Sequence, residues 1–342
     1  MSVTFDLNII WFLLVGILLT GYAILDGFDL GVGALHLLTK EDSHRRIMLN
    51  AIGPVWDGNE VWLVTGGGAL FAAFPEAYAT SFSGFYLAFI LLLFALIFRA
   101  VAIEFRSKQP MLWWRKLWDI SFSVSSIMSA LLIGIALGNL AWGIPLDQEY
   151  EYTGTFLGLL HPYALVVGVM VVALFMMHGA IYMLIKSEGE LHDIIRGWIN
   201  KLILFFIICY VLLTSLTLGL VPHMTELLRA NPILFSVAVL SFLAIINIPR
   251  EVHHGRDYRA FFSSCAAMAG LMALFGLGMY PNLIISNPIV ENSLNIYNAA
   301  SSQKTLWIIF IIALIGMPLV LSYTVSVYWI FRGKVKLGPM SY

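Results

Sequence analysis

Charged residues are scarce in this 342-residue chain. Asp, Glu, Lys and Arg together make up 11% of it, against about 25% in a typical soluble domain, and hydrophobic residues make up 60%. A chain of this composition cannot cover a soluble fold with polar surface, which excludes a soluble enzyme. The formal net charge of -1 says nothing about partners, but the lack of a basic helix argues against a nucleic-acid partner.

Cysteine and the usual catalytic motifs are also nearly absent. The two cysteines, Cys209 and Cys265, lie in apolar stretches at no metal-ligand spacing, so we interpret them as small packing residues and expect no disulfide framework. The sequence contains no Cys-X-X-Cys-His haem attachment motif, no glycine-rich phosphate loop and no nucleophile elbow. We therefore expect no catalytic residue and no metal site in this chain.

The chain has long apolar stretches instead. About 20 apolar residues are needed to cross the hydrocarbon core of a bilayer. Nine stretches meet this requirement, at residues 8–38, 54–74, 78–104, 117–142, 162–185, 199–221, 232–248, 261–280 and 306–331. They predict an all-α integral membrane protein with about nine transmembrane helices, forming one polytopic domain over residues 1–342.

The basic residues are distributed unevenly between the loops. Sixteen of the nineteen fall in alternate segments, whereas the opposite loops hold only Arg229 and Lys304, and Arg99 lies inside the third stretch. Since cytoplasmic loops carry the excess of Lys and Arg, this predicts an amino terminus outside and a carboxyl terminus in the cytoplasm.

Short internal matches suggest a duplication. Asp26-Gly27 has a counterpart 152 residues later in His178-Gly179, and Arg99 is matched 151 residues later by Arg250. A shift of four spans predicts a parallel repeat of residues 1–143 and 160–281, that is, two four-helix bundles, with the peripheral helix 305–331 added. Matches this short also arise by chance, so an unduplicated chain stays open.

Four acidic residues form the candidate functional site. A charge at the centre of a bilayer costs roughly 2.5 to 3.5 kcal/mol, so such residues normally face the protein interior, a watery cavity or a partner. Asp26 and Asp29 end the first stretch, Asp57 and Glu60 begin the second, and Arg99 is near enough in the third to neutralise one of them. Each pair is spaced three residues apart, which places both carboxyls on one helix face. Neighbouring negative charges oppose the full ionisation of a carboxyl, so at least one of these acids could hold and release a proton, as a proton relay requires.

Other interpretations of these acids stay open. Asp57 and Glu60 could complement the positive end of a helix dipole or reach the aqueous boundary, but Asp26 and Asp29 lie at a helix carboxyl end, where the dipole opposes them. The second stretch begins with an unusually polar and aromatic segment, and three glycines at 66–68 follow it and favour close helix approach. This segment adds three supporting residues: Trp56, Asn59 and Trp62.

The eight histidines do not form a cofactor site. His36, His161 and His178 lie in or near apolar stretches, where we favour a hydrogen-bonded structural role over an axial haem ligand. The others fall in loops and are expected to be solvated: His44, His192, His223, His253 and His254. We therefore expect no cofactor to be bound directly.

Three segments carry a family resemblance. Residues 21–31 (GYAILDGFDLG), 54–62 (PVWDGNEVW) and 98–106 (FRAVAIEFR) resemble subunit II of the cytochrome bd quinol oxidases, and the likeness extends over the whole chain in length and span count. The resemblance implies a bacterial cytoplasmic-membrane enzyme of aerobic respiration that oxidises quinol and reduces dioxygen to water. It also implies that two b-type haems and haem d belong to the partner, subunit I.

The resemblance further implies a role for particular residues. The proton-path acids of the family would correspond to Asp29 and Asp57, with Asp26, Trp56, Glu60 and Arg99 close by. Further expected partners are membrane quinol, lipids and small single-span accessory subunits, and some family members hold a structural quinone in this subunit.

Two other functions compete with this one. A proton-coupled secondary transporter also has buried acids and repeats, although its site commonly lies near the bilayer midplane in both halves of the chain. A purely structural subunit would use the acids only to anchor its partner. The substitution Asp29→Asn distinguishes the latter, because Asn keeps size and hydrogen bonding but does not titrate.

Overall fold

A computed structural model describes residues 6–338 and Ser341. The chain is predominantly helical. The helices are α1 Leu7–Leu35, α2 Asp42–Ile52, α3 Trp56–Ala73, α4 Pro75–Gly84, α5 Tyr86–Phe105, α6 Leu112–Trp142, α7 Pro162–Lys186, α8 Gly189–Leu220, α9 Glu226–Ala230, α10 Phe235–His253, α11 Asp257–Met279 and α12 Gln303–Ile330. Two short strands, β1 Asn282–Ile284 and β2 Leu294–Asn295, pair antiparallel.

Among the described residues, eight of these helices are long and apolar enough to cross a membrane. The helix α3 is more polar because Asp57, Asn59 and Glu60 open it, yet it packs antiparallel against α1 and is the ninth long element of the bundle. The predicted fold class is thereby confirmed. The third predicted stretch is interrupted at Phe85, between α4 and α5, where the loop residue Tyr152 packs on Gly84.

Local sequence explains where several helices begin. The Asp6 side chain caps α1 by accepting hydrogen bonds from the backbone N–H groups of Asn8 and Ile9. His161 caps α7, which then starts with a proline, a residue whose missing N–H costs nothing at the first helical position. Ser302 caps α12 in the same way as Asp6 caps α1.

The centre of the bundle is the contact between α1 and α7. A Cβ atom on Gly31 would lie 1.8 Å from the carbonyl oxygen of Phe175, so only glycine permits this approach of the two backbones. Phe28 of α1 stacks on Tyr182 of α7 at 4.0 Å between ring centroids. Of the three consecutive glycines in α3, Gly66 lies against Leu19 of α1, while the other two face open space.

The helix pairing bears on the predicted duplication. The helix α1 packs on α3 and α6, and α7 packs on α8 and α11; α5 with α6 and α10 with α11 form further close pairs. A parallel repeat relating α1, α3, α5 and α6 to α7, α8, α10 and α11 would require these same pairs. We keep the duplication as a proposal on this basis.

The two ends of the bundle differ in character. At one end, the loops form small bridges such as Ile144 to Ser286, together with the β1–β2 pair. At this end α12 begins beside α1, because Trp11 Nε1 donates to Leu306 O at 3.0 Å. At the other end, the basic residues form ion pairs, and Tyr182 OH donates to Ala51 O at 2.9 Å, which joins α7 to the end of α2.

Candidate functional site

The site lies where the second half of α1 faces the beginning of α3. The two helices approach closely at Gly21, because a Cβ atom there would lie 2.3 Å from the ring of Trp62. Trp62 and Trp56 are both half-buried, and Trp56 packs against the main hydrophobic core. The predicted supporting tryptophans therefore help to hold α3 in place.

A buried ion pair joins α1 to α5. Arg99 donates two hydrogen bonds to Asp26, Nη1 to Oδ2 at 2.9 Å and Nη2 to Oδ1 at 2.5 Å, and both side chains are 0% exposed. Glu60 Oε1 of α3 lies 3.4 Å from Arg99 Nη1. One guanidinium thus faces two carboxylates, and removing either main partner would leave an uncompensated buried charge.

Asp29 lies one turn further along α1 and is fully buried. Its Oδ2 accepts a hydrogen bond of 2.7 Å from Asn59 Nδ2, while its Oδ1 has no hydrogen-bond partner among the described residues. Asn59 also donates to Leu25 O at 3.2 Å and accepts from the hydroxyl of Tyr328 at 2.8 Å. The carboxyl is therefore oriented by α3 and, through Asn59, by α12.

Asp57 is placed differently from the other three acids. It is exposed on the surface of α3, whereas Asp26 and Asp29 are buried and the Glu60 side chain is 23% exposed. The structure brings together Asp26, Glu60 and Arg99 and, one turn away, Asp29 and Asn59. Asp57 lies at the border of this group and faces outward.

Sequence reasoning missed a second ionic cluster at the same end of the bundle. Asp119 of α6 is buried and accepts hydrogen bonds from Arg106 Nε at 2.6 Å and from Arg45 Nη1 at 2.8 Å. His36 Nε2 lies 2.6 Å from the same carboxylate. Asp119 was visible in the sequence as an acid within the fourth predicted stretch. Tyr328, also missed, gave no signal because tyrosine is common in apolar stretches.

The histidines in the apolar region are hydrogen-bonded. His178 uses both ring nitrogens, Nδ1 with Ser264 Oγ at 2.7 Å and Nε2 with Ile24 O at 3.0 Å, and it stacks on Phe261. An axial haem ligand needs a free ring nitrogen, so His178 does not fit that role. His36 is held by Asp119.

The expectation that His44 is solvated was wrong. His44 belongs to α2, and its side chain is only 9% exposed, because α2 folds back against the bundle instead of forming an open loop. Two other loop histidines make hydrogen bonds, His192 with Arg196 and His223 with Ala141 O. The sequence could not show these contacts, since their partners lie on other turns or elements.

The fold and this buried polar group define a multi-pass helical membrane protein. The chain matches the family model of cytochrome bd terminal oxidase subunit II over residues 7–331. Subunit 2 of the cytochrome bd-I ubiquinol oxidase of Escherichia coli (strain K12) is 37% identical, over 96% of this chain and 95% of that one. The cytochrome bd ubiquinol oxidase subunit 2 of Bacillus subtilis (strain 168) is 32% identical, over 98% and 99%.

A solved structure has the same fold. A chain of the bd oxidase from Geobacillus thermodenitrificans aligns with a TM-score of 0.78 at 16% identity, covering 95% of this chain and 98% of that one. This chain belongs to the cytochrome bd terminal oxidase subunit II family. It is a subunit of an oxidoreductase whose complex contains haem and a partner subunit I. The family resemblance predicted from the sequence is thereby confirmed. The comparisons lend the transporter hypothesis no support.

Proposed function

We propose that this chain is the haem-free subunit of a bacterial quinol:dioxygen oxidoreductase of aerobic respiration, and that it carries protons from the cytoplasm towards the site of oxygen reduction. Subunit I would hold two b-type haems, haem d and the quinol-oxidising site. The observation that carries the proton role is Asp29, a fully buried carboxyl at the end of the bundle that holds the basic residues. One of its oxygens is oriented by Asn59, and the other has no hydrogen-bond partner within the described part of the chain.

The residues take different parts in this path. Asp57, exposed at the start of α3, would receive protons from the surface, and Asp29 would pass them inward. Asp26 and Glu60, which both lie near Arg99, would form the charged group beside Asp29. Asn59 holds the Asp29 carboxyl in one orientation.

The proposed setting follows from the distribution of basic residues. Arg45, Arg106 and Arg196 all lie at the end of the bundle where α1 ends, and by the positive-inside rule this supports a cytoplasmic position for that end. The membrane would be the bacterial inner membrane. Uptake of protons there and their release outside on quinol oxidation would build a membrane potential without a pump. Lipids, single-span accessory subunits and a structural quinone are further partners that we propose from the family.

The test is oxygen uptake by the purified complex with quinol as the donor. We expect Asp29→Asn to slow uptake strongly and Asp57→Asn to slow it less, both with unchanged haem absorption bands, because the amide keeps the packing but does not titrate. Glu149→Gln, an exposed acid in the opposite loop, is the matched control. Normal turnover of Asp29→Asn would instead support the purely structural subunit.

A further inference from the structure

One histidine outside the proton-path group stands apart from the others. His44 Nε2 points between two carboxylates, 3.7 Å from Glu41 Oε2 and 3.9 Å from Glu190 Oε2. Glu41 and His44 lie one turn apart at the start of α2, and Glu190 lies in the first turn of α8. Two separate elements thus supply three side chains with metal-ligating atoms.

The distances are slightly longer than those between ligands that share an ion. They exceed the usual hydrogen-bond range of about 2.7–3.2 Å. In a tetrahedral site with ligand-to-metal bonds of about 2.0–2.2 Å, two ligand atoms are separated by about 3.3–3.6 Å. The three ligand atoms lie within 4.8 Å of one another, so small side-chain rotations bring them to one ion. We propose that Glu41, His44 and Glu190 form a binding site for a divalent transition-metal ion.

The burial of His44 is the second observation that points to a ligand. Its side chain is more than nine-tenths buried, yet neither ring nitrogen makes a hydrogen bond to the part of the chain that the structure describes. By contrast, both ring nitrogens of the buried His178 are hydrogen-bonded. A metal ion placed between the imidazole and the two carboxylates would give the His44 ring nitrogen a direct ligand bond, where it now has only the two longer carboxylate contacts.

The ligand types select the class of ion. One imidazole nitrogen with two carboxylate oxygens suits zinc or a similar first-row ion better than Mg²⁺ or Ca²⁺, which prefer oxygen ligands alone. Three protein ligands leave a fourth position for water, as in open tetrahedral sites. Bound in this way, the ion would link α2 to the start of α8, two elements far apart in sequence, and would stabilise this end of the bundle.

The test uses the whole purified complex in detergent after treatment with a chelator and its removal. Zn²⁺ is titrated by calorimetry, and the unfolding temperature is measured with and without Zn²⁺. We expect Glu190→Gln and Glu41→Gln to weaken one binding event by about tenfold or more, and to abolish the rise in unfolding temperature that Zn²⁺ gives the unsubstituted complex. Both carboxylates are exposed, so these variants should fold normally.

The control is Glu188→Gln, which removes an exposed carboxylate two residues from Glu190. It should bind Zn²⁺ as the unsubstituted complex does, and Mg²⁺ titrated in the same range should not compete. Equal Zn²⁺ affinity in the unsubstituted complex and Glu190→Gln, or an equal loss in Glu188→Gln, would overturn the proposal. Because the readout is metal binding, its outcome is independent of the proton-path experiment.

Discussion

At the scale of single residues, the two acids of α1 differ in their hydrogen-bond partners. Asp26 is held by two hydrogen bonds to Arg99 in a bidentate geometry. Asp29 has no cationic hydrogen-bond partner among the described residues and receives one neutral hydrogen bond from Asn59. This contrast is the reason for assigning proton transfer to Asp29 and a supporting role to Asp26.

Tyr328 offers a test of how Asp29 is positioned. Tyr328→Phe removes the hydroxyl that donates to Asn59 Oδ1, a hydrogen bond worth about 0.5–1.5 kcal/mol. We expect the Asn59 side chain to be less firmly held. Quinol-driven oxygen uptake should be slower by about two- to tenfold, the rate factor that corresponds to this energy, and its pH profile should change.

Tyr323→Phe is the matched control, because Tyr323 lies on the same helix and is 66% exposed. It should leave both the rate and the pH profile unchanged. Equal rates for Tyr328→Phe and the unsubstituted complex would show that Asn59 is held without α12.

At the scale of elements, the close contact of α1 with α7 sets the position of the site. The two backbones meet at Gly31, half a turn beyond Asp29, and this contact keeps the second half of α1 inside the bundle. In membranes, helices associate through such close packing of small residues and through interhelical hydrogen bonds. We therefore infer that the burial of Asp29 depends on the close contact of Gly31 with α7.

Gly31→Ala tests this dependence. The added methyl group would meet the carbonyl oxygen of Phe175, part of the backbone, which cannot rotate away. Overpacking of this kind typically costs about 1–3 kcal/mol, so we expect a lower unfolding temperature of the complex in a fluorescence-monitored melt.

Gly16→Ala is the control on the same helix, since a Cβ atom there meets no atom within 4 Å. It should leave the unfolding temperature nearly unchanged. A similar fall for both variants would mean that helix packing at Gly31 is not the cause.

At the scale of the whole molecule, the two ends of the bundle have distinct chemistry. The helices α1 and α12 run parallel. Trp11 at the start of α1 donates to Leu306 near the start of α12, and Tyr328 near the end of α12 donates to Asn59, which itself donates to Asp29 near the end of α1. The termini of the described chain therefore lie at opposite ends. The acids of the site are at the end that carries the basic residues, which we propose to be cytoplasmic.

Labelling with a membrane-impermeant maleimide tests this orientation. In a background with Cys209→Ala and Cys265→Ala, we introduce single exposed cysteines as Gln109→Cys and Glu149→Cys. Intact spheroplasts should label only the second variant, and inverted vesicles only the first. The reverse pattern would place the acids outside and contradict uptake from the cytoplasm.

The sequence by itself determined the membrane class, the approximate number of spans and the family. These follow from apolar length and from three local motifs, which need no knowledge of distant contacts. It also identified Asp26, Asp29, Asp57, Glu60 and Arg99 as a group, because charges in apolar stretches are costly wherever the helices pack.

Only the tertiary structure decided which charge pairs with which. Arg99 pairs with Asp26. Asn59, held by Tyr328, orients Asp29, and Asp57 lies at the surface. These outcomes depend on helix rotation and crossing, and helices that are apolar on nearly every face give too little periodic contrast to predict either. For the same reason, the Asp119 cluster and the burial of His44 emerged only once residues from separate elements were brought together.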